Sequence, residues 1–385
     1  VIRSELEIDE GDPFTKLGLN KSVANLKARN IFKDVNYKIS EGSAKNLKLI
    51  EISVEEKATG EVSAGAGVGT TGGSFAFNVK ENNYLGAGKN VGFNIEVDQE
   101  SVKGTLNYTD PNYNFLGNAL SYYLTSETND QPNQGYKNTI IGAGISTTFE
   151  QYNDVYTNIG INATHDDLQT LDSATASLKK QSGDFNEISG TYGFTFDKRN
   201  RSFMPTDGSI ISFNQSLPIY ADKSFISNAL SASNYKTITE DVIGATKIYF
   251  AAINGLGSDD VRLSKRRALS ASRLRGFEKG KVGPIDGTDH IGGNYAAALN
   301  FEAKLPNFFP ESTQTDIGFF LDFGNVWGVD YDDSIDDSNK IRSSTGAVLN
   351  WNSPLGPMNF TLATNISKGS TDVTESFNFN LGTTF

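Results

Sequence analysis

The feature that most constrains this chain is a one-by-one alternation of apolar and polar residues that runs from Thr59 to the C-terminal residue. Residues 91–97 place Val, Phe, Ile and Val at every second position, and residues 377–381 repeat the pattern with Phe, Phe and Leu. This period places alternate side chains on opposite faces of a β-strand. Polar and glycine-rich connectors separate the runs, and no long helical pattern interrupts them. The alternation therefore predicts a large antiparallel sheet with one apolar and one polar face.

The chemistry of the two faces predicts how this sheet avoids open edges. One face is rich in Phe, Leu, Val and Tyr, which suits lipid, and the other in Asn, Thr, Ser and Gly, which suits a hydrated lumen. A closed barrel is the sheet that satisfies every backbone group in a membrane. Residues 59–385 provide about 16 strands at roughly 20 residues for each strand and its connection. We therefore predict a mainly β fold, an antiparallel transmembrane β-barrel; the alternative is a soluble sandwich or propeller, whose buried face would favour Val, Ile and Leu.

The composition excludes several classes of function. The 385 residues contain no cysteine and only two histidines, His165 and His290, which excludes disulfides, thiolate metal sites and a multi-histidine zinc site. No Ser/His/Asp arrangement is visible, so we predict no enzymatic activity, no cofactor and no metal. The formal net charge of −12 argues against nucleic acid as a partner. No run approaches the about 20 apolar residues of a spanning helix, and residues 1–9 lack the pattern of a signal peptide.

Residues 1–58 form a separate, mixed α/β segment. Asn20 is the predicted N-cap of a helix that carries Val23, Leu26 and Ile31 on its apolar side. Two strands over residues 35–39 and 47–54 follow, joined by a polar hairpin turn. The segment lacks a first strand, so we expect that the chain begins inside a longer protein.

Several short motifs along the chain occur in the order typical of one family. Arg275-Gly276-Phe277-Glu278 and Phe320-Leu321-Asp322-Phe323-Gly324 resemble the sixth extracellular loop and the thirteenth strand of the BamA family, whose members fold other β-barrels into the bacterial outer membrane. Three more segments resemble strand twelve, the C-terminal targeting strand and the first strand of that family: Gly292-Gly293-Asn294 with Glu302, residues 375–385, and Thr59-Gly60 with residues 64–69. Residues 1–58 resemble most of a POTRA domain, the periplasmic repeat that precedes the barrel in this family.

The resemblance implies a domain organisation and a function. Residues 1–58 would be a partial POTRA module in the periplasm, and residues 59–385 a barrel in the bacterial outer membrane with a long loop, residues 255–291, folded into the lumen. The function implied is insertion of β-barrel proteins without ATP. The implied partners are unfolded outer-membrane clients, outer-membrane lipids, accessory lipoproteins and periplasmic chaperones. A two-partner secretion exporter, a TamA-like paralogue and a passive pore remain alternatives.

The resemblance also implies a set of residues that holds this loop, which we call the latch. By parity, Glu302 and Asp322 point into the lumen, opposite to the apolar residues of their strands. The resemblance implies that the loop folds back so that Arg275 meets these two acids, and a guanidinium in a confined pore needs such carboxylates. The alternative is a solvated arginine beside two acids in a polar channel. The predicted latch residues are Arg275, Gly276, Phe277, Glu302, Asp322 and Gly324.

A weak junction between the first and last barrel strands, which we call the seam, is the second predicted site. The first strand is rich in glycine, and three of its glycines share one face, which leaves few side chains to pack. An open seam would expose backbone donors and acceptors that a client strand can satisfy. A disulfide between positions near Ala64 and Leu381 would then block assembly. The predicted seam residues are Gly60, Ala64, Gly65, Gly67, Gly69, Leu381, Gly382 and Phe385.

Three clusters of charged residues are predicted to lie in turns or solvated loops without a binding function. We predict that His165-Asp166-Asp167 is a turn and not a metal site, and that Lys265-Arg266-Arg267 is a solvated loop segment, with contact to lipopolysaccharide phosphates as the alternative. Five aspartates between residues 330 and 337 could hold calcium, but they lack the Gly and terminal Glu of an EF-hand loop. A solvated loop is the favoured interpretation of these aspartates.

Overall fold

A computed structural model describes residues 1–44, 46–202, 204–306, 308–310, 313–337, 339–353 and 356–382. The N-terminal segment contains one helix, α1 (Lys16–Ala28), and two antiparallel strands, β1 (Phe32–Glu41) and β2 (Lys48–Glu56). The strands pair with the predicted apolar residues opposite one another, as at Val35 and Val54.

The predicted N-cap of α1 is wrong. The helix begins at Lys16, before Asn20, because the hydroxyl of Thr15 accepts a hydrogen bond of 3.1 Å from the backbone N–H of Gly18. Leu19 and Leu26 are the buried apolar residues of the helix, and Ile31 is buried beyond its end.

Sixteen antiparallel strands form a closed barrel, which confirms the predicted strand number and closure. Its first eleven strands are β3 (Gly60–Gly69), β4 (Gly72–Tyr84), β5 (Lys89–Asp98), β6 (Ser101–Asp110), β7 (Ala119–Gln131), β8 (Tyr136–Tyr152), β9 (Val155–Thr170), β10 (Gly183–Asp197), β11 (Gly208–Ala221), β12 (Phe225–Thr239) and β13 (Val242–Gly255). A long loop follows with two short strands, β14 (Ile285–Asp286) and β15 (Asp289–His290). The last five barrel strands are β16 (Tyr295–Leu305), β17 (Thr315–Trp327), β18 (Arg342–Ser353), β19 (Gly356–Ser367) and β20 (Phe377–Gly382), and β20 pairs with β3 to close the barrel.

The two faces of the barrel wall follow the predicted parity. In β17, Phe319 is 53% exposed on the outside, whereas its neighbour Phe320 is 3% exposed on the inside. In β19, Leu362 and Ala363 show the same contrast. Within the described ranges, the second helix, α2 (Ala176–Lys179), is a single turn, and no helix has the length and apolar character needed to cross a membrane.

The loop between β13 and β16, residues 256–294, lies inside the barrel, and we call it the lumenal loop. It carries fully buried apolar side chains, including Leu263, Leu274 and Phe277. One core cluster packs this loop against β16 and β17, and its members are Leu269, Leu274, Phe277, Val282, Ala296, Ala298 and Val326. The main core of the molecule is therefore the packing of the lumenal loop on the barrel wall.

Residues 1–58 lie at the end of the barrel opposite to the end where this loop begins. They contact two hairpin turns, where Asn112 Nδ2 donates to the carbonyl of Ser4 at 2.9 Å and Arg29 donates to the carbonyl of Gly88.

Candidate functional site: the lumenal loop and the seam

The predicted latch residues Arg275 and Asp322 form a bidentate ion pair. Arg275 Nε lies 2.8 Å from one carboxylate oxygen of Asp322, and Nη2 lies 2.8 Å from the other. The backbone N–H of Arg275 also donates to this carboxylate at 3.1 Å. Asp322 is fully buried, so it depends on these three donors for the hydrogen bonds that water would otherwise supply.

The other predicted acid, Glu302, contributes less to the contact. Its Oε2 lies 3.8 Å from Arg275 Nη1 and 3.3 Å from Lys247 Nζ, so the carboxylate is shared between two cations. The guanidinium of Arg275 instead covers the ring of Phe320, with 3.8 Å between its central carbon and the ring centroid. Phe320 and Asp322 lie on the same inner face of β17, so alternation presents the aromatic and the carboxylate to one arginine.

The two predicted latch glycines allow the loop to approach the wall. Gly276 has φ +86°, and a Cβ there would lie 3.0 Å from Cβ of Ala363. A Cβ on Gly324 would lie 2.9 Å from Cδ1 of Leu269. Phe277 is 1% exposed and belongs to the loop core. All six predicted latch residues therefore lie where the lumenal loop meets β16 and β17 or in the turn that this contact positions.

A second arginine, Arg262, was missed by the sequence analysis. Its Nη2 donates to Glu187 Oε2 at 2.8 Å, its Nη1 lies 3.5 Å from Asp166 Oδ2, and its side chain is 2% exposed. Ser264 Oγ donates to the same Asp166 oxygen at 2.6 Å. The guanidinium also lies over the ring of Phe185, 4.9 Å from its centroid. The sequence does indicate that this loop needs acidic partners, because it concentrates arginines in an otherwise acidic chain. An arginine inside a lumen needs a carboxylate to pair with.

Two interpretations of charged clusters are wrong. Residues 165–167 lie inside β9 and form no turn, because Asp166 points inward to Arg262. The segment of residues 265–267 is not a solvated loop, since the side chain of Arg266 is 1% exposed and pairs with Asp330. Both errors arise because the acid and its cation lie far apart in sequence, 96 residues for Arg262 and Asp166 and 64 for Arg266 and Asp330, so that no local pattern pairs them.

The aspartates between residues 330 and 337 are divided among different contacts. Asp330 binds Arg266 and accepts a hydrogen bond of 2.9 Å from the backbone N–H of Val261. Asp332 accepts from the backbone N–H of Ser334 at 2.9 Å. In the part of the chain that the structure describes, no group of three or more acidic or histidine side chains is arranged to hold a metal ion.

The seam joins the end of β20 that the structure describes to the end of β3. Among the described residues, β20 pairs with β3 through Asn380, Leu381 and Gly382, which lie opposite Gly69, Val68 and Gly67. A Cβ on Gly69 would lie 2.7 Å from the carbonyl oxygen of Phe379, and a Cβ on Gly67 would lie 3.0 Å from that of Leu381. These two glycines therefore permit the close approach of the two strands.

Three other predicted seam residues, Gly60, Ala64 and Gly65, have no described residue of β20 opposite them. Phe385 lies outside the described residues. Leu381 faces Val68 and not Ala64, so a disulfide across the seam belongs at positions 68 and 381.

Comparison with known proteins places this architecture in a family. The model of the Omp85 superfamily domain matches residues 83–385. The chain belongs to the Omp85 superfamily. Its fold is a BamA-type barrel: the crystal structure of BamA from Haemophilus ducreyi lacking POTRA domains 1–3 is similar over 100% of this chain and 81% of that chain, with a TM-score of 0.88 and 24% identity.

Two curated relatives of this Omp85 chain cover different shares of it. Outer membrane protein assembly factor BamA of Neisseria meningitidis is 26% identical over 100% of this chain and 54% of its own length. Sorting and assembly machinery component 50 homolog of Mus musculus is 25% identical over 69% of this chain and 58% of its own length. The chain therefore spans about half the length of the curated relatives it matches.

Proposed function

We propose that this Omp85 chain inserts β-barrel proteins into the bacterial outer membrane, and that client strands enter at the seam. The observation that carries the proposal is that β20 pairs with β3 at three positions within the described residues, whereas β3 pairs with β4 at ten. When this pairing opens, β3 presents a row of backbone donors and acceptors to a client. A client strand satisfies them by adding to the sheet, which requires no ATP because the new hydrogen bonds replace those that were lost.

The proposed location follows from the same geometry. The outer face of the barrel carries exposed apolar side chains such as Phe319 and Leu362, and lipid is the solvent that suits them. Residues 1–58 would then be the partial POTRA module on the periplasmic side, where they contact the turns after β4 and β6. Their free strand edges offer a docking place for clients, accessory lipoproteins and periplasmic chaperones.

The latch has a defined place in the proposed mechanism. The lumenal loop fills the barrel beside β16 and β17, and the Arg275–Asp322 pair holds it there. Because the loop occupies the lumen, a client polypeptide would enter the membrane beside the barrel wall and would not pass through the pore. This arrangement favours insertion over the export of a polypeptide through the lumen.

The test is reconstitution of the chain in liposomes with a urea-unfolded eight-stranded barrel as client and no nucleotide. We expect the client to acquire its folded, heat-modifiable mobility faster than in empty liposomes. A client that folds no faster would contradict the proposal. Passage of the client into the vesicle interior without membrane insertion would instead identify an exporter.

A further inference from the structure

The lumenal loop contacts the seam strand as well as the latch. Residues 276–281 of the loop pair with residues 373–375, which lead directly into β20. The backbone N–H of Glu278 donates to the carbonyl of Val373 at 3.0 Å, and the backbone N–H of Val373 donates to the carbonyl of Lys281 at 3.1 Å. The N–H of Glu375 donates to the carbonyl of Gly276 at 3.0 Å. The start of the last strand is thus hydrogen-bonded to the loop over about the same length as β20 is to β3.

Side chains strengthen this contact. The buried carboxylate of Asp372 forms a bidentate pair with Arg342 of β18, at 2.9 Å and 3.0 Å. It also accepts a hydrogen bond of 3.4 Å from the backbone N–H of Gly283 in the loop. Asp372 therefore holds the lead-in to β20 against both the barrel wall and the loop.

The other end of the loop is fixed to the far wall. In the closed strand order, β10 is the eighth of the sixteen strands counted from β3, so β9 and β10 lie opposite the seam. Arg262 binds Asp166 of β9 and Glu187 of β10, and all three side chains are buried. Arg262 is the largest fully buried side chain among the described residues. Ion pairs with the two carboxylates fix it in addition to apolar packing.

We propose that the lumenal loop is a tie across the barrel, which holds the seam strand β20 to the opposite wall with Arg262 as its far anchor. Arg262 is then a positioning residue for the seam, although it lies on the opposite side of the lumen. The weak pairing of β20 with β3 is supplemented by a connection that does not involve β3 at all. This inference deepens the proposed function, on which its biological meaning rests, because it names what controls the seam.

The geometry also gives the tie a direction. The loop contacts residues 372–375, which come just before the first residue of β20. The described residues of β20 itself pair with β3 and β19. When the seam opens, the start of β20 stays attached to the loop. Loss of the far anchor therefore loosens β20 selectively and leaves strands such as β5 to β7 unaffected.

The experiment is amide hydrogen exchange, read by mass spectrometry, on the full chain folded in detergent micelles without client. In Arg262→Met we expect exchange about tenfold faster at residues 377–382 and unchanged exchange at residues 89–131. The matched control is Arg199→Met, which removes a partly exposed arginine bound to Asp197 at the other end of β10. This control should leave the exchange of β20 unchanged.

A second variant keeps the test decisive if the single substitution does not fold. Arg262→Met combined with Asp166→Asn and Glu187→Gln removes all three charges, so that no buried carboxylate is left unpaired. Selective loosening of β20 in either folded variant supports the tie. Faster exchange confined to β9, β10 and the loop, or an equal increase in every strand, would overturn it. The assay contains no client, so its result is independent of whether the chain inserts barrels.

Discussion

The seam and the β8–β9 wall of the barrel are built from the same kind of strand, yet within the described residues they differ in how many residue pairs join their strands. Strands β8 and β9 pair from Tyr136 opposite Thr170 to Tyr152 opposite Val155. In the described part of the seam, β20 pairs with β3 only from Asn380 to Gly382. Each residue pair adds backbone hydrogen bonds and a side-chain contact, so the described part of the seam has fewer of both than the β8–β9 junction.

Glycine by itself does not explain the difference. Strand β8 also contains glycines, but Gly144 lies opposite Asn162, and the side chains of Asn162 and Tyr123 fill the space that its missing Cβ leaves. At the seam, Gly67 lies opposite Gly382, and the neighbouring atoms are largely backbone. Glycine facing glycine leaves this one position of the seam without a cross-strand side-chain contact, whereas the side chain of Asn162 faces Gly144 in the β8–β9 wall.

The largest expected effect is the loss of assembly when the seam is locked. The chain has no native cysteine, so Val68→Cys with Leu381→Cys can form one defined disulfide between residues that face each other. We expect the oxidised protein to lose client folding in liposomes and to regain it after reduction. The matched control is Ile145→Cys with Ile161→Cys on the β8–β9 wall, which should be active in both states. Full activity of the oxidised seam variant would refute the seam mechanism.

The next effect is on stability and concerns the latch. Arg275→Ala leaves the fully buried Asp322 without its cation, a change that typically costs about 3–5 kcal/mol. Urea unfolding, followed by heat-modifiable mobility, measures the loss. Arg199→Ala breaks the ion pair with Asp197, whose side chain is 40% exposed, and should cost less than the loss of Arg275 because water can solvate the unpaired carboxylate. Equal midpoints for the two variants would show that the latch does not stabilise the barrel.

A smaller effect is expected at the turn of the latch. Gly276→Ala places a Cβ at φ +86°, 3.0 Å from Ala363, and should destabilise the barrel by about 1–3 kcal/mol. Gly73→Ala in β4 is the comparison, because the nearest atom to its added Cβ lies 3.9 Å away. The same unfolding assay should detect no loss for Gly73→Ala. An unchanged midpoint for Gly276→Ala would mean that the turn tolerates a side chain.

The smallest effect concerns acid. Burial alone would raise the pKa of Asp372, but the hydrogen bonds and charge of Arg342 and the N–H of Gly369 outweigh it and lower the pKa below its ordinary value. Stability from this group is therefore complete above the pKa of the unfolded chain, about 4, and is lost as the pH falls through the folded-state pKa. Unfolding midpoints of Asp372→Asn should fall less steeply below pH 4 than those of the unsubstituted protein. Parallel pH profiles would contradict this contribution.

The alternation of apolar and polar residues predicted which side chains share a face of a strand. It could not predict which side chains from distant segments of the chain come into contact inside the barrel. Alternation alone places Phe320 and Asp322 on one face, and it predicts closure because an open sheet would leave two edges. It contains no information on which acid meets Arg262, since Asp166 and Glu187 lie on other strands. The N-cap at Thr15 was missed because Asn20 is an equally good capping residue, and the packing of the helix decides between them.

The register of the seam was also beyond prediction. Gly67, Gly69, Leu381 and Gly382 could be assigned to the correct strands, but the position opposite Leu381 depends on how the whole barrel is sheared. The pairing of the loop with residues 373–375 was missed for a similar reason, because neither segment alternates like a strand.

Disulfide trapping of a client at the seam during assembly tests the central claim most directly. The unfolded client would carry single cysteines along its last strand, and the chain would carry Val68→Cys in one preparation and Ile161→Cys in another. We expect mixed disulfides at position 68 that appear while the client folds, and none at position 161. Client folding that proceeds without adducts at position 68, or with equal adducts at both positions, would contradict it.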